Sequence, residues 1–265
     1  MPVWKHQPQL DTLASSLQQW FETDMGRVVL AVERRMLARC LADCFGYHLL
    51  QLSANNNLDL YGDCRIQRCF KAGPIRPALP SADSRSAFVR CNFEELPFET
   101  GSIDVALAHH VPEFSADPHA VLRELYRVTV PNGRVILIGF NPWSPFGARM
   151  AVGRLRSGSV WRNHFFSAAR MNDWLQLLGF QIESTEYGFH RLPLHRAAQW
   201  PNLSDSDNTL SRHWPLGGIY LITAIKQESK FIPIKPIWSH ARPVLAPLSA
   251  AKPSVAVGQK KAHKR

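Results

Sequence analysis

A strand–helix–strand pattern between residues 103 and 140 limits the fold of this chain more than any other feature of its sequence. Ile103 to Ala108 is a short apolar run that is typical of a buried strand, and Arg134 to Phe140 is a second, rich in β-branched residues. Between them, Asp117 and Pro118 fit the N-cap and the first residue of a helix whose apolar side chains recur on one face. Two buried strands joined by a helix predict a parallel sheet covered by helices, and therefore an α/β fold.

The same periodicities predict further elements on both sides of this unit. Residues 14 to 45 carry apolar side chains at steps of three and four, which predicts a long helix ended by Gly46. A turn is expected at residues 131–133. Further strands are expected at residues 47–52, 65–71, 87–91, 180–186 and 218–226, and a further helix at residues 167–178. A chain of 265 residues that is 45% hydrophobic can bury the core of such a domain.

Composition divides the chain into three parts. Residues 1–13 are expected to be an N-terminal extension, and residues 14–227 the folded domain. Within the domain, residues 141–166 are rich in Trp, Phe, Gly and Arg and are expected to form an insertion or lid with little regular structure. Prolines recur through residues 228–265, which are expected to be a basic, disordered tail.

The formal net charge of +10 is concentrated in that tail. From Lys230 to Arg265 there are eight Lys and Arg residues and no acid, which leaves a net charge of about +2 on the other 229 residues. A basic tail is usually soluble and disordered, and weak attraction to RNA or to an anionic membrane is the alternative. The charge therefore gives little support for a nucleic-acid-binding protein.

Cysteine usage and hydropathy indicate the compartment. The five cysteines include no CxxC pair, so neither a disulfide framework nor a zinc site is indicated, and no other metal site is predicted. The N-terminus lacks the apolar run of a signal peptide, and no window approaches the roughly 18 apolar residues of a membrane span. We expect a reduced, cytoplasmic protein without stable membrane insertion. Nothing in the sequence specifies an oligomeric state.

Residues 92–140 contain a series of short motifs in a fixed order. The motifs are Asn92 after a strand, Leu96-Pro97-Phe98, Ile103-Asp104-Val105, Arg123-Glu124, Arg127-Val128 and Pro131-Asn132-Gly133. In this order and spacing the segment resembles the class I S-adenosylmethionine-dependent methyltransferases, in particular the type 11 methyltransferase domain. The phrases HLLQL, GFNPWSPFG, DWLQLLGF and FIPIKPIW are similar to an uncharacterised bacterial branch of that family. The resemblance implies an α/β, three-layer Rossmann-like methyltransferase fold with a seven-stranded, mostly parallel sheet and a last antiparallel strand.

The chain departs at three places from the cofactor site of the family that it resembles. The glycine-rich loop after the first strand is replaced by QLSANNN, residues 51–57. Asparagine enters the left-handed backbone region more readily than other non-glycine residues, but its side chain adds bulk beside a ligand. No acid follows the second strand, where the family binds the ribose, and Asn92 replaces the family's Asp near the adenine amine. Each lost hydrogen bond to a neutral group costs about 1 kcal/mol, or about fivefold in affinity.

The resemblance implies S-adenosylmethionine as the cofactor and a small molecule as the acceptor. The expected cofactor-binding residues are Gln51, Ser53, Asn55, Asn92, Phe93 and Ala108. Transfer of a methyl group from a sulfonium mainly requires placement of the acceptor, and a base is needed only if the acceptor must lose a proton early. His109 is the candidate catalytic base, and His110, Asn141 and Trp143 are candidate substrate contacts. The alternative for the two histidines is packing at the end of the strand.

Two other functions are compatible with these residues. The altered cofactor anchors favour a catalytically inactive methyltransferase-like binding domain as the alternative to an enzyme. A nucleic-acid methyltransferase is a weaker alternative, because the tail charge supports it but an Asn-Pro-Pro-Tyr-type motif does not occur.

Overall fold

The computed structural model of the protein describes residues 10–62, 64–78, 81, 83–153, 165–190 and 212–227, and seven strands in this part of the chain form one sheet. The strands are β1 (His48–Ser53), β2 (Arg68–Gly73), β3 (Ser86–Arg90), β4 (Ile103–His109), β5 (Thr129–Phe140), β6 (Phe180–Gly188) and β7 (Ile219–Lys226). Their order across the sheet is β3-β2-β1-β4-β5-β7-β6, and only β7 runs antiparallel to its neighbours. The predicted α/β fold with a mostly parallel sheet and a last antiparallel strand is therefore confirmed.

Helices cover both faces of the sheet. They are α1 (Leu10–Glu22), α2 (Asp24–Ala42), α3 (Val111–Phe114), α4 (Pro118–Val128), α5 (Pro145–Gly153) and α6 (Ala168–Leu177). Apolar side chains of α1 and α2 pack with one face of β1, β4, β5 and β7, and those of α4 and α6 pack with the other face. Burial of apolar side chains on both faces explains why the central strands are nearly continuous apolar runs. Among the described residues, no helix combines the length and apolar character needed to cross a membrane.

The predicted helix at residues 14–45 is two helices. The helix is interrupted at Thr23. The Thr23 hydroxyl oxygen accepts a hydrogen bond from the Gly26 backbone nitrogen at 3.2 Å and caps α2. The second helix starts so close to the first that a Cβ atom on Gly26 would lie 2.1 Å from the backbone oxygen of Trp20. The apolar periodicity continues across this break, which is why the sequence predicts one helix.

Two other elements differ from the prediction. Part of the predicted irregular insertion at residues 141–166 is the helix α5, and residues 154–164 lie outside the described part. The turn predicted at residues 131–133 lies inside β5, where Asn132 has a positive φ of 61°. The pairing of β4 with β5 shifts its register at this point, so the turn is accommodated as an irregularity of the strand.

The connection from β1 to β2 is unusual for this topology. Residues 54–62 and 64–67 of this connection contain no helix, and the chain reaches β2 through turns and irregular backbone. A parallel strand pair is ordinarily joined through a helix that covers the sheet. In the described part of this protein the loop itself therefore packs over the carboxyl ends of β1 and β2.

Candidate active site at the carboxyl ends of the strands

The strand order reverses between β1 and β4, and the candidate site lies where these two strands end. Ser53, the last residue of β1, pairs with His109, the last residue of β4. In open α/β sheets, ligands bind outside the carboxyl ends of the strands at such a switch point. The fold therefore brings Ser53, His109 and the following residue, His110, to the position at which a ligand is expected.

A carboxylate from α2 reaches this position. Oxygen Oε2 of Glu33 lies 3.1 Å from Nε2 of His109, and Oε1 of Glu33 lies 2.8 Å from Nε2 of His110. All three side chains are 0% exposed. The ring of Phe21 on α1 packs against both imidazoles, with centroid distances of 5.6 and 5.9 Å. Glu33 thus joins the two helices on one face of the sheet to the end of β4.

Glu33 was not predicted as a site residue, although the sequence carries a signal for it. It follows Val29 by four residues and precedes Met36 by three, so it lies on the apolar stripe of the predicted helix. An ionisable side chain on a buried stripe is stable only with a buried polar partner. The partners lie 76 and 77 residues further along the chain, and only the folded sheet brings them close.

The backbone at His110 is in the left-handed region. His110 has a φ of 55° and precedes α3, and its backbone nitrogen donates a hydrogen bond to the Ile138 oxygen at 3.0 Å. Its imidazole stacks on the ring of Phe140 at a centroid distance of 3.9 Å. The carboxylate of Glu113 lies 3.5 Å from Nδ1 of His110 and accepts a hydrogen bond from the Phe140 backbone nitrogen at 2.7 Å. A non-glycine residue with positive φ costs conformational energy, and these contacts stabilise it.

The side chains of Glu33, His109 and His110 differ in charge because their neighbours differ. Burial alone would raise the pKa of Glu33, but the adjacent His110 and His109 lower it to about 2. Burial alone would lower the pKa of His110, but the carboxylates of Glu33 and Glu113 raise it to about 9. For His109, burial and the neighbouring His110 outweigh Glu33, and the pKa is lowered. Without a further ligand, Glu33 and His110 therefore form a buried ion pair beside a neutral His109 at neutral pH.

Hydrogen bonds fix the tautomer of the neutral His109. The hydroxyl oxygen of Ser53 accepts from the Asn55 backbone nitrogen at 3.1 Å and lies 3.1 Å from Nδ1 of His109. Because the Glu33 carboxylate can only accept, the proton of the neutral ring lies on Nε2, and the Ser53 hydroxyl donates to Nδ1. Both ring nitrogens of the predicted base thus have partners within the protein.

The three asparagines that replace glycine bind neighbouring backbone. Oxygen Oδ1 of Asn55 accepts from the Asn57 nitrogen at 3.1 Å, and Oδ1 of Asn57 accepts from the Ala78 nitrogen at 2.8 Å. The amide of Asn56 donates to the Ile75 oxygen at 2.8 Å. The positive-φ residues of the described chain do not include residues 53–57. The asparagines therefore serve as side-chain hydrogen-bonding groups, and the loop does not use their tolerance of left-handed backbone.

The other predicted cofactor residues also make contacts within the protein. Gln51 holds the loop, because its amide donates to the Leu58 oxygen at 2.7 Å and its side-chain oxygen accepts from the Leu60 nitrogen at 3.0 Å. Ala108 and Phe93 are buried in the apolar cluster on the face of α4 and α6.

Asn92 lies on the surface of this region. It is exposed and pairs with Glu95 in an isolated bridge. Among the predicted cofactor residues, Asn92 is therefore the one that solvent reaches.

The two predicted acceptor contacts after β5 lie together but differ in exposure. Asn141 is buried, its amide donates to the oxygens of Pro215 and Gly217 at 2.8 Å each, and its side-chain oxygen accepts from the Trp143 nitrogen at 3.1 Å. The side chain of Trp143 is 76% exposed. Asn141 thus supports the local backbone, while Trp143 presents its ring to solvent.

The described residues do not fit the family's methyl donor as they are packed here. Ser53, Asn55 and Asn56 at the end of β1, and His109 and His110 at the end of β4, are all at most 4% exposed. The amide of Asn56 would also lie 2.6 Å from a Cβ atom on Gly73, so it fills the space at the end of β2 where the family places its acid. The donor would need this loop, or α1 and α2, to separate from the strand ends.

Comparison with known proteins identifies the family. The methyltransferase domain family matches residues 71–137. YafS, an uncharacterised protein of Escherichia coli K12, is 30% identical over 209 residues, which are 78% of this chain and 80% of YafS.

Many solved structures share the fold, and two of them illustrate it. One is an S-adenosylmethionine-dependent methyltransferase of Thermotoga maritima described as a possible histamine N-methyltransferase, with a TM-score of 0.60, 16% identity, and 79% and 94% of the two chains covered. The other is a geranyl diphosphate methyltransferase in complex with S-adenosylmethionine, with a TM-score of 0.51, 14% identity, and 76% and 90% covered. Fold and sequence together place this chain, with YafS, in the class I methyltransferase family, whose methyl donor is S-adenosylmethionine.

Proposed function

We propose that this protein transfers a methyl group from S-adenosylmethionine to a small-molecule acceptor at the carboxyl ends of β1 and β4. The observation that carries the proposal is the reversal of strand order between these two strands, where α/β proteins bind their ligands. Membership of the family supports the same position, because the residues that match the methyltransferase domain include β3 and β4.

Two observations support a small acceptor with an apolar part. Two of the solved structures that share the fold are named for small acceptors, one as a possible histamine methyltransferase and one as a geranyl diphosphate methyltransferase. In this chain, Trp143, Trp214 and Leu216 are large apolar residues that are 76%, 60% and 49% exposed, and the amide of Asn141 joins the two segments that carry them. Exposed aromatic and aliphatic side chains beside the end of β5 provide an apolar surface for an acceptor.

The base role of His109 stays a prediction. Its neutral imidazole has the protonation state that a general base requires. Both ring nitrogens are engaged, however, by Ser53 and by Glu33. An acceptor could lose a proton to His109 only after one of these partners moves away.

Calorimetric titration of the full chain with S-adenosylmethionine and S-adenosylhomocysteine tests the proposal. We expect saturable binding of both. Asn92→Ala should weaken binding about fivefold, which corresponds to one lost hydrogen bond of about 1 kcal/mol. Asn92→Asp, which restores the acid of the family, should bind at least as tightly as the wild type. Asp173→Ala, which removes an exposed acid on α6, is the matched control and should leave the affinity unchanged.

One result of the titration would contradict the proposed methyl transfer. If the folded chain produces no heat at millimolar concentrations of either ligand, the protein is not a methyltransferase. The catalytically inactive, methyltransferase-like binding domain would then be the correct interpretation.

A further inference from the structure

We infer that Glu33, His109 and His110 form a binding site for one divalent first-row transition-metal ion that ties α2 to the end of β4. Each residue offers one ligand atom, and these atoms all lie within 4.8 Å of one another. Two imidazole nitrogens and a carboxylate are a ligand set found in zinc proteins and in non-haem iron proteins. The inference does not require the proposed methyl transfer, although it uses the residue that was predicted as its base.

The distances suit a metal ion. Nitrogen Nε2 of His110 lies 2.8 Å and Nε2 of His109 lies 3.1 Å from the oxygens of Glu33. An ion that is about 2.0 to 2.2 Å from each of two ligands at a right angle holds those ligands about 3 Å apart. The two distances from the Glu33 carboxylate to the imidazoles are therefore close to the ligand spacing around such an ion.

The opposite nitrogen of each imidazole faces an oxygen atom of the protein. Nδ1 of His109 lies 3.1 Å from the hydroxyl of Ser53, and Nδ1 of His110 lies 3.5 Å from the carboxylate of Glu113. Histidines that bind metals through one ring nitrogen usually direct the other to such an oxygen, which fixes the ring orientation. Both Nε2 atoms consequently face the Glu33 carboxylate.

The carboxylate of Glu113 faces Nδ1 of His110, the ring nitrogen opposite the one that faces Glu33. Oxygen Oε2 of Glu113 is buried and has no hydrogen-bond partner among the described residues, and neither has Nδ1 of His110. A buried carboxylate oxygen without a partner is costly, and a ligand nearby would relieve that cost. Glu113 therefore lies beside the His110 ring and is not one of the three ligand residues.

The location indicates a structural role for the ion. All three ligand residues are 0% exposed, so a bound ion would be sealed beneath Phe21 of α1. An ion in this place would hold α2 against β4 and the start of α3. A metal at Nε2 would also prevent His109 from acting as a base, so the metal content decides between these two roles.

Metal analysis of the full chain, purified without a polyhistidine tag, tests the inference. Plasma mass spectrometry should find about one equivalent of zinc, iron, manganese or cobalt per chain. After chelation and addition of Co²⁺, the visible spectrum should show the d–d bands of a site with nitrogen and oxygen ligands. Removal of the metal with dipicolinate should lower the Tm, and Zn²⁺ should restore it.

Variants separate this site from adventitious binding to cysteines or surface histidines. Glu33→Gln and His109→Asn should lose the equivalent of metal, and Ser53→Ala should weaken the affinity about 10- to 100-fold. His213→Ala, which removes an exposed histidine, should retain the metal.

Two outcomes would overturn the inference. A folded wild-type chain that contains no transition metal, takes none up on refolding with Zn²⁺ and is unaffected by dipicolinate has an ion pair of Glu33 and His110 and no metal site. Full metal content in a folded Glu33→Gln variant would place the ion elsewhere. Should the variants fail to fold, the metal content, chelator response and cobalt spectrum of the wild type decide alone.

Discussion

The side-chain nitrogen of Asn56 lies 2.6 Å from the point at which residue 73 would carry a Cβ atom, and residue 73 is glycine. The loop after β1 and the end of β2 are therefore fitted to each other. An acid at position 73 would require the Asn56 side chain to move from this position. The asparagine side chain therefore occupies space that the family leaves to its acid.

Replacing Asn56 with glycine should raise the affinity for S-adenosylmethionine. The change removes the side chain that fills the space beside Gly73 and its hydrogen bond to the Ile75 oxygen. The loss of that bond should reduce the free energy of unfolding by about 1 kcal/mol. Calorimetric titration measures the affinity, and urea unfolding measures the stability. Asn57→Gly, an exposed position in the same loop, is the control, and equal affinities of the two variants would contradict the prediction.

Acid should weaken the contribution of Glu124 to stability. Its carboxylate accepts from the Leu96 nitrogen and, at two atoms, from the Arg127 guanidinium, each at 2.8 Å. Arg127 holds the pKa of Glu124 below its ordinary value of 4.5. A lowered pKa stabilises the folded state above pH 4.5, and this contribution is lost as the pH falls through the folded-state pKa.

The comparison of Glu124→Gln with the wild type measures this effect. Near pH 7 the variant should be less stable by about 1 kcal/mol, since the pair is partly exposed and screened by solvent. The difference should shrink as the pH is lowered below 4.5, and urea unfolding across this range will show it. Glu95→Gln, an exposed neighbour, should show no such trend; a difference that does not change with pH would contradict the assignment.

Asp104→Ala should loosen the start of β1. Oxygen Oδ2 of Asp104 accepts hydrogen bonds from the backbone nitrogens of Tyr47 and His48, both at 2.9 Å. Alanine leaves two donors without this partner, and we expect a loss of about 1 to 3 kcal/mol in the free energy of unfolding. Asp104→Asn keeps an acceptor oxygen and should cost less. If urea unfolding finds both variants as stable as the wild type, this anchor does not contribute to stability.

Gly26→Ala should separate α1 from α2. An added Cβ atom would lie 2.1 Å from the Trp20 oxygen and 2.6 Å from the Phe21 Cα atom, and backbone atoms cannot move aside locally. The free energy of unfolding should fall by about 1 to 3 kcal/mol, as expected for overpacking. Thermal unfolding monitored by circular dichroism measures the loss. Ala38→Gly, an exposed position on the same helix, should cost only about 1 kcal/mol through helix propensity, and a smaller effect for Gly26→Ala would contradict the prediction.

The sequence predicts the sheet well because most of its signals are local. The strand at Ile103, the helix capped by Asp117 and the closing strand at residues 219–226 are each encoded by periodicity, capping residues and turn residues. Asp104, part of the Ile103-Asp104-Val105 motif, binds the start of β1. The break between α1 and α2 at Thr23 was not predicted. The apolar periodicity continues across the break, and only the Thr23 hydroxyl cap marks it.

The candidate site is predicted less completely because its contacts are not local. The switch point directs attention to His109 and His110, but their partner Glu33 comes from a helix that precedes β1. The asparagines after β1 were expected to substitute for glycine in backbone conformation, whereas they bind the backbone of Ile75 and Ala78. Neither relationship has a spacing that a sequence pattern could report.

The position of β3 at the edge of the sheet gives the fold a gradient of burial. All but one residue of β4 and of β7 are buried, whereas every residue of β3 at the margin is at least partly accessible to water. Amide protons of β3 and of the neighbouring β2 should therefore exchange with deuterium earlier than those of β4, β5 and β7. Local opening at this edge would leave the buried central strands paired.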